Sequence, residues 1–163
     1  MRIGRLTLSD RASQGIYQDQ SGPEIERVIS ALFQENIDWH RALLPDNLIQ
    51  IAEKLCFFSD VTKCHLILTT GGTGPSNRDI TPEATKKILE KELPGFGEAM
   101  RAQSFKKVKT SILSRATAGI RNQSLIINLP GNPKAIQECL QELGPAIAEC
   151  LDHVSGFRPK LKG

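Results

Sequence analysis

No apolar run in the 163 residues approaches the roughly 18 that a membrane-crossing helix needs. A transmembrane protein is therefore not expected. Met1–Leu8 is too short for a secretory signal and reads as a first strand, so the expected location is intracellular, in the cytoplasm. The four cysteines, Cys56, Cys64, Cys139 and Cys150, form no C-x-x-C pair, and no histidine stands beside them at zinc-ligand spacing. They read as small buried hydrophobes. Aromatic residues are scarce at 5%, which argues against a stacking platform for single-stranded nucleic acid. A net charge of +3 is too weak to imply nucleic acid and suits an anionic small-molecule substrate. The chain has no repeat, low-complexity tract or linker. It also lacks both familiar nucleotide fingerprints, G-x-x-x-x-G-K-[ST] and G-x-G-x-x-G, so neither a P-loop nor a dinucleotide fold is supported.

What remains is an ordinary globular composition, 39% hydrophobic and 24% charged, in which strands and helices alternate. The first strand is expected at Arg2–Ser9, followed by a polar loop to Gln20. Ser21-Gly22-Pro23-Glu24 reads as a serine-capped helix start. Ile25, Val28, Ile29, Leu32 and Phe33 then form one helical stripe. A second strand spans about Ile37–Leu44 and stops at Pro45, with Asp46 placed to cap the next helix. His65–Thr70 is apolar on both faces until its end, as suits a central covered strand. Thr81-Pro82-Glu83 opens a helix with Thr81 as its cap. Pro94-Gly95 breaks that helix, and another covers Phe96–Lys107. Strands at Leu113–Arg121 and Ser124–Leu129 make a hairpin, and Pro133 opens a final helix striped by Ile136, Leu140, Leu143, Ile147 and Leu151. The expected architecture is α/β with a mostly parallel mixed sheet. One domain occupies residues 1–155, and a basic tail at 156–163, carrying Arg158, Lys160 and Lys162, is expected to fray.

The chemistry gathers where strands end. Thr69-Thr70-Gly71-Gly72-Thr73-Gly74 follows the central strand. Glycines there let a ligand approach the backbone and turn N–H groups inward, making a phosphate or nucleotide cradle. Asp46 and Asp79 fall near the same carboxyl edge, where open α/β sheets bind ligands. Two carboxylates beside a phosphate cradle fit Mg²⁺ held between protein and polyphosphate. Arg78 could contact phosphate or pair with Asp79. Ser9-Asp10, Ser114-Arg115 and the turn Asn128-Leu129-Pro130-Gly131-Asn132-Pro133 are further polar edge segments. From the residues alone this is a nucleotide-handling enzyme with an unidentified second substrate.

The same segments resemble the molybdopterin adenylyltransferase family, which includes a domain of gephyrin-like proteins. The resemblance rests on Leu8-Ser9-Asp10-Arg11, Leu44-Pro45-Asp46, the run LTTGGTGPSNRDITPEAT at 68–85, Leu113-Ser114-Arg115, Ala118-Gly119-Ile120-Arg121 and LIINLPGNP at 125–133. It implies a three-layer α/β/α sandwich, commonly a homotrimer. The implied reaction joins AMP from ATP, with Mg²⁺, to the phosphate of molybdopterin and releases pyrophosphate. Asp46 and Asp79 fall on the family's essential acidic positions, and Gly71, Gly72, Thr73 and Gly74 on its phosphate loop. Ser9, Asp10 and Ser114, with Asn128, Pro130, Gly131 and Asn132, fall on segments lining its pterin or nucleotide site. A downstream molybdate-insertion protein is the implied partner. Two other readings stay open on the residues: a molybdopterin carrier without catalysis, and a nucleotide hydrolase.

Overall fold

The structure, a computed structural model, describes residues 1–163. Six strands form one sheet: β1 (Arg2–Leu8), β2 (Asp38–Leu44), β3 (Leu66–Thr70), β4 (Lys91–Glu92), β5 (Ala118–Arg121) and β6 (Ser124–Leu129). Their order across the sheet is β2-β1-β3-β6-β5-β4. The first four are parallel, and the last two run antiparallel to their neighbours. Side chains alternate across the sheet with the period of two that a strand imposes. Leu66, Leu68, Leu125, Ile127 and Leu129 enter a larger core beneath α2 (Ser21–Leu32), α5 (Pro94–Phe105) and α6 (Pro133–Ser155). Ile67 and Ile126 enter a smaller core beneath α3 (Leu48–Cys56) and α4 (Thr81–Ile88). Because β3 and β6 are covered on both faces, they are buried throughout rather than alternating between buried and exposed. The result is the three-layer α/β/α sandwich.

The winding positions the site. From β1 the chain moves outward to β2, then crosses back to β3 on the other side of β1. Winding reverses between β1 and β3, and loops leaving the two strands part there to open a crevice. The β1 loop is held by Arg5, which is only 8% exposed. Arg5 Nη1 donates to Asp19 Oδ2 at 2.9 Å, and Thr7 Oγ1 donates to the same oxygen at 2.7 Å.

Several local expectations are corrected. The loop after β1 begins with a short helix, α1 (Asp10–Ser13), for which Ser9 is the cap. Ser21 does not cap α2; Asp19 Oδ1 takes the Gly22 N–H at 2.9 Å and the Ser21 hydroxyl at 3.1 Å. Asn47, not Asp46, caps α3, accepting from Gln50 N–H. Thr81 makes no cap bond, because its hydroxyl reaches back to Gly71. A π-helical turn at Phe57–Val61 extends α3. Pro94 starts α5 rather than ending a longer helix, and the two-residue strand β4 intervenes. Leu113 belongs to a 3₁₀ turn, Lys109–Leu113, so β5 starts only at Ala118.

The tail is docked, not frayed. Leu161 bridges Phe33, Gln34 N–H donates to Lys160 O at 2.9 Å and Lys162 N–H to Leu32 O at 2.8 Å. The Leu161 side chain lies against Leu32 and Gly144, strapping α2 to α6. Deleting residues 159–163 is expected to cost about 2–3 kcal/mol through lost apolar burial and backbone pairing. For a chain of this size that is roughly 5–10 °C in Tm. A thermal melt unchanged by the deletion would contradict it.

Candidate functional site

Ser9 and Asp10 follow β1, Asp46 follows β2, Gly71–Gly74 follow β3 and Pro130–Asn132 follow β6, all at the carboxyl edge of the parallel strands. Gly71 and Gly72 have φ of +93° and +63°, a conformation that glycine adopts without penalty. A Cβ on Gly71 would overlap the Leu8 carbonyl oxygen, so β1 itself passes too close for any side chain. All four carbonyls of the loop are tied down. Gly71 O accepts from the Thr81 hydroxyl at 2.9 Å and Gly72 O from Thr81 N–H at 3.1 Å. Thr73 O accepts from Arg115 N–H at 2.8 Å and Gly74 O from Arg115 Nε at 2.8 Å. The N–H groups of Gly72, Thr73 and Gly74 have no partner in the chain. Carbonyls held back and amides left free are what an anion-binding loop requires.

The acidic groups are organised differently from their sequence reading. Asp10 and Asp46 exchange backbone bonds: Asp10 N–H donates to Asp46 Oδ2 at 3.2 Å, and Asp46 N–H to Asp10 Oδ1 at 3.0 Å. Arg78 pairs with Asp10, not Asp79, through Nε at 2.9 Å and Nη2 at 2.5 Å from Oδ2. Asp46 Oδ1 is buried with no hydrogen-bond partner, and a Cβ on Gly72 would stand 3.0 Å from it. That orphaned oxygen lies beside the loop and is left for a ligand to satisfy. Asp79 lies against Gly74 and accepts the Ser76 N–H at 3.0 Å through Oδ2.

Hard carboxylate oxygens with one orphan among them suit Mg²⁺. No three His, Cys, Asp or Glu side chains converge to hold a metal alone. Mg²⁺ commonly keeps several waters and takes one or two carboxylates together with phosphate oxygens. Asp46 and Asp79 are the residues that would hold it.

Burial pushes the Asp46 carboxyl above its ordinary range, with Asp10 and Asp79 adding repulsion. The Arg78 hydrogen bond, helped by Asp46 N–H, holds Asp10 below its range. Titrating the ligand-free protein by carboxylate ¹³C NMR should show Asp46 inflecting above the ordinary aspartate value of 3.8 and Asp10 below it. Arg78→Ala should move Asp10 upward. The reverse order of the two aspartates would refute the assignment.

Beside the loop lies a cavity of about 420 Å³ between α5, the 3₁₀ turn and α6, within the usual range for small-molecule sites. Thr73, Gly74, Ser114, Pro130 and Asn132 line it. So do Ser104 and Ser111, which the sequence did not single out, because nothing local distinguishes them from surface serines. Ser111 Oγ is buried there without a partner. Ser9 sits apart from this cavity, its hydroxyl 2.9 Å from Tyr17 Oη. Gly131 approaches Gly71 closely, a Cβ there standing 3.7 Å from the Gly71 Cα. Asn132 caps α6 through Lys134 and Ala135 N–H. Asn128 lies inside the fold rather than on the edge: it is fully buried, and its Nδ2 donates to Thr69 at 3.0 Å and Thr85 at 2.9 Å. It can order β3 and α4 beneath the loop. Arg115 is likewise no free phosphate ligand, since its guanidinium is engaged by the loop. No cysteine is activated, and burial pushes Cys64 up to about 12.

The chain is similar to known proteins over nearly its whole length. Residues 4–149 match the family described as "Probable molybdopterin binding domain". A molybdopterin adenylyltransferase of Helicobacter pylori (strain J99) is 53% identical over 98% of each chain. That of Escherichia coli (strain K12) is 45% identical, covering 98% of this chain and 94% of its own length. Among solved structures, the molybdopterin biosynthesis enzyme MoaB of Thermus thermophilus superposes with a TM-score of 0.89 at 38% identity, over 98% of this chain and 99% of its own. With its glycine loop, acidic edge and full-length likeness to these proteins, the chain belongs to the molybdopterin-binding family that includes the molybdopterin adenylyltransferases.

Proposed function

We propose that the chain is a molybdopterin adenylyltransferase that uses MgATP, and that its edge holds both substrates at once. The observation carrying this reading is the loop in which every carbonyl of Gly71–Gly74 is engaged while the amides of Gly72, Thr73 and Gly74 are free. In the proposed reaction a phosphate oxygen of molybdopterin attacks the α-phosphorus of ATP. A new P–O bond forms, and the bond to the β,γ-diphosphate breaks, releasing pyrophosphate. A phosphate monoester has a second pKa near 6, so this nucleophile is already anionic at neutral pH and needs no protein base. The obstacle is repulsion between two anions. Free loop amides offset charge on the transferring phosphoryl group. Asp46 and Asp79 would hold Mg²⁺, which would supply charge neutralisation for the polyphosphate. The cavity walled by Ser104, Ser111 and Ser114 offers hydroxyls to a polar heterocycle and holds the pterin. Positioning supplies much of the remaining acceleration.

The same reading carries a homotrimer, with the exposed apolar side chains Phe105, Val108, Ile112 and Leu113 as candidates for its interface, testable by light scattering. It also carries cytoplasmic location and delivery of product to a molybdate-insertion protein. No helix is long and apolar enough to cross a membrane.

The test is incubation of purified protein with molybdopterin, ATP and Mg²⁺, with the product identified by mass. Adenylyl-molybdopterin formed only with metal supports the transferase. ATP consumed without pterin identifies a hydrolase instead. Pterin bound with no product identifies a carrier.

A further inference from the structure

Arg115 is bound to the glycine loop and to the segment after it at several points. Its N–H holds Thr73 O at 2.8 Å, Nε holds Gly74 O at 2.8 Å and Nη2 holds Asp79 O at 2.6 Å. Nη1 pairs with Glu83 in the first turn of α4. One guanidinium therefore closes the neck of the segment from Gly74 to Asp79. Inside that neck, Asp79 N–H donates to Ser76 O and Ser76 N–H to Asp79 Oδ2, both at 3.0 Å. On the far side of the loop, Thr81 joins α4 to Gly71 and Gly72. The free amides and the Asp79 carboxylate are thus two ends of one clasped unit.

We infer that Arg115 is a positioning residue for adenylyl transfer: it touches no substrate, and it sets the separation between the anion-binding amides and the Asp79 carboxylate. The catalytic half of this inference rests on the transferase reading, and the structural half stands without it. The guanidinium reaches two carbonyls and a carboxylate at once, through three different nitrogens. A lysine ammonium keeps the charge but lacks the planar fork.

The experiment compares wild type with Arg115→Lys and Arg115→Gln. In the ligand-free protein, hydrogen exchange at the Ser76 and Asp79 amides is expected to speed up about tenfold, the equivalent of one lost charge-assisted bond. Amides in β3 and β6 should keep their protection. In the loaded enzyme, half-saturating Mg²⁺ is expected to rise about tenfold for the same lost constraint, while the molybdopterin KM changes little. Exchange unchanged at Ser76 and Asp79 overturns the inference, as does exchange quickened equally throughout the sheet. A loss of turnover with unchanged Mg²⁺ dependence overturns its catalytic half. If wild type forms no adenylyl product, the transferase reading fails, and the exchange comparison still decides whether Arg115 closes the neck.

Discussion

Asp46→Asn is expected to lower turnover about 10²–10³-fold, the scale seen when one electrostatic contact to a developing charge is removed, without lowering Tm. The two halves of this outcome have one cause. Asp46 carries a buried oxygen without a partner, its backbone-facing oxygen takes one long bond from Asp10 N–H, and its carboxyl is pushed up by burial and by Asp10 and Asp79. A carboxyl raised in the folded state favours the protonated form there. Its ionisation works against the fold at every pH above the raised value, and the loss is recovered as pH falls through it. Asparagine removes the charge and keeps the shape, so stability should hold or rise near neutral pH while the ligand for Mg²⁺ is weakened. Asp79→Asn should match it in activity and lose a little stability, because the charge-assisted bond from Ser76 N–H becomes a neutral one. Steady-state rates with thermal melts check both. Near-normal turnover in folded Asp46→Asn would remove Asp46 from the site, and a large fall in Tm would mean that its carboxylate holds the fold.

Gly72→Ala should damage both fold and reaction. The residue has φ of +63°, which costs a residue with a Cβ about 1–2 kcal/mol. The new Cβ would also overlap the Thr81 hydroxyl and come within 3.0 Å of Asp46 Oδ1. Displacing Thr81 releases the clasp on Gly71 O, worth about 1 kcal/mol. Together these predict a loss of about 2–3 kcal/mol. A shift of about 1 Å in the free amides is enough to cost about 10²-fold in rate. Adding Thr81→Ala relieves the overlap but not the backbone conformation. The double variant should therefore recover some Tm and little activity, as read by melting and product formation. Full recovery of both would mean that the left-handed backbone is not required.

The mixed sheet was legible because local periodicity carries it. The covered run at His65–Thr70, the stripe from Ile136 to Leu151 and the turn at Asn122 all appear in the structure as read, with small shifts at their ends. Helix caps were less legible. Asp, Asn, Ser and Thr are interchangeable as cap signals, and the choice among neighbours depends on competing contacts. Asn47 took the cap expected of Asp46, which left Asp46 free, and Thr81 gave up a cap to hold Gly71. The tail could not be read either, since its partners Leu32, Gln34 and Gly144 lie far away in the chain.

The sequence by itself determined that a glycine loop would stand at the carboxyl edge of a buried strand, with Asp10, Asp46 and Asp79 near it. Strand periodicity and breaker residues act over a few positions, and alternation of strands and helices puts every parallel strand's end on one side. Only the tertiary structure decided what those groups became. Asp10 meets Asp46 across 36 positions and Arg78 across 68, and Arg115 reaches Gly74 across 41. These pairings depend on the strand order and on winding reversal between β1 and β3, which no local pattern encodes. The orphaned oxygen, the free amides and the cavity between α5 and α6 are consequences of that packing.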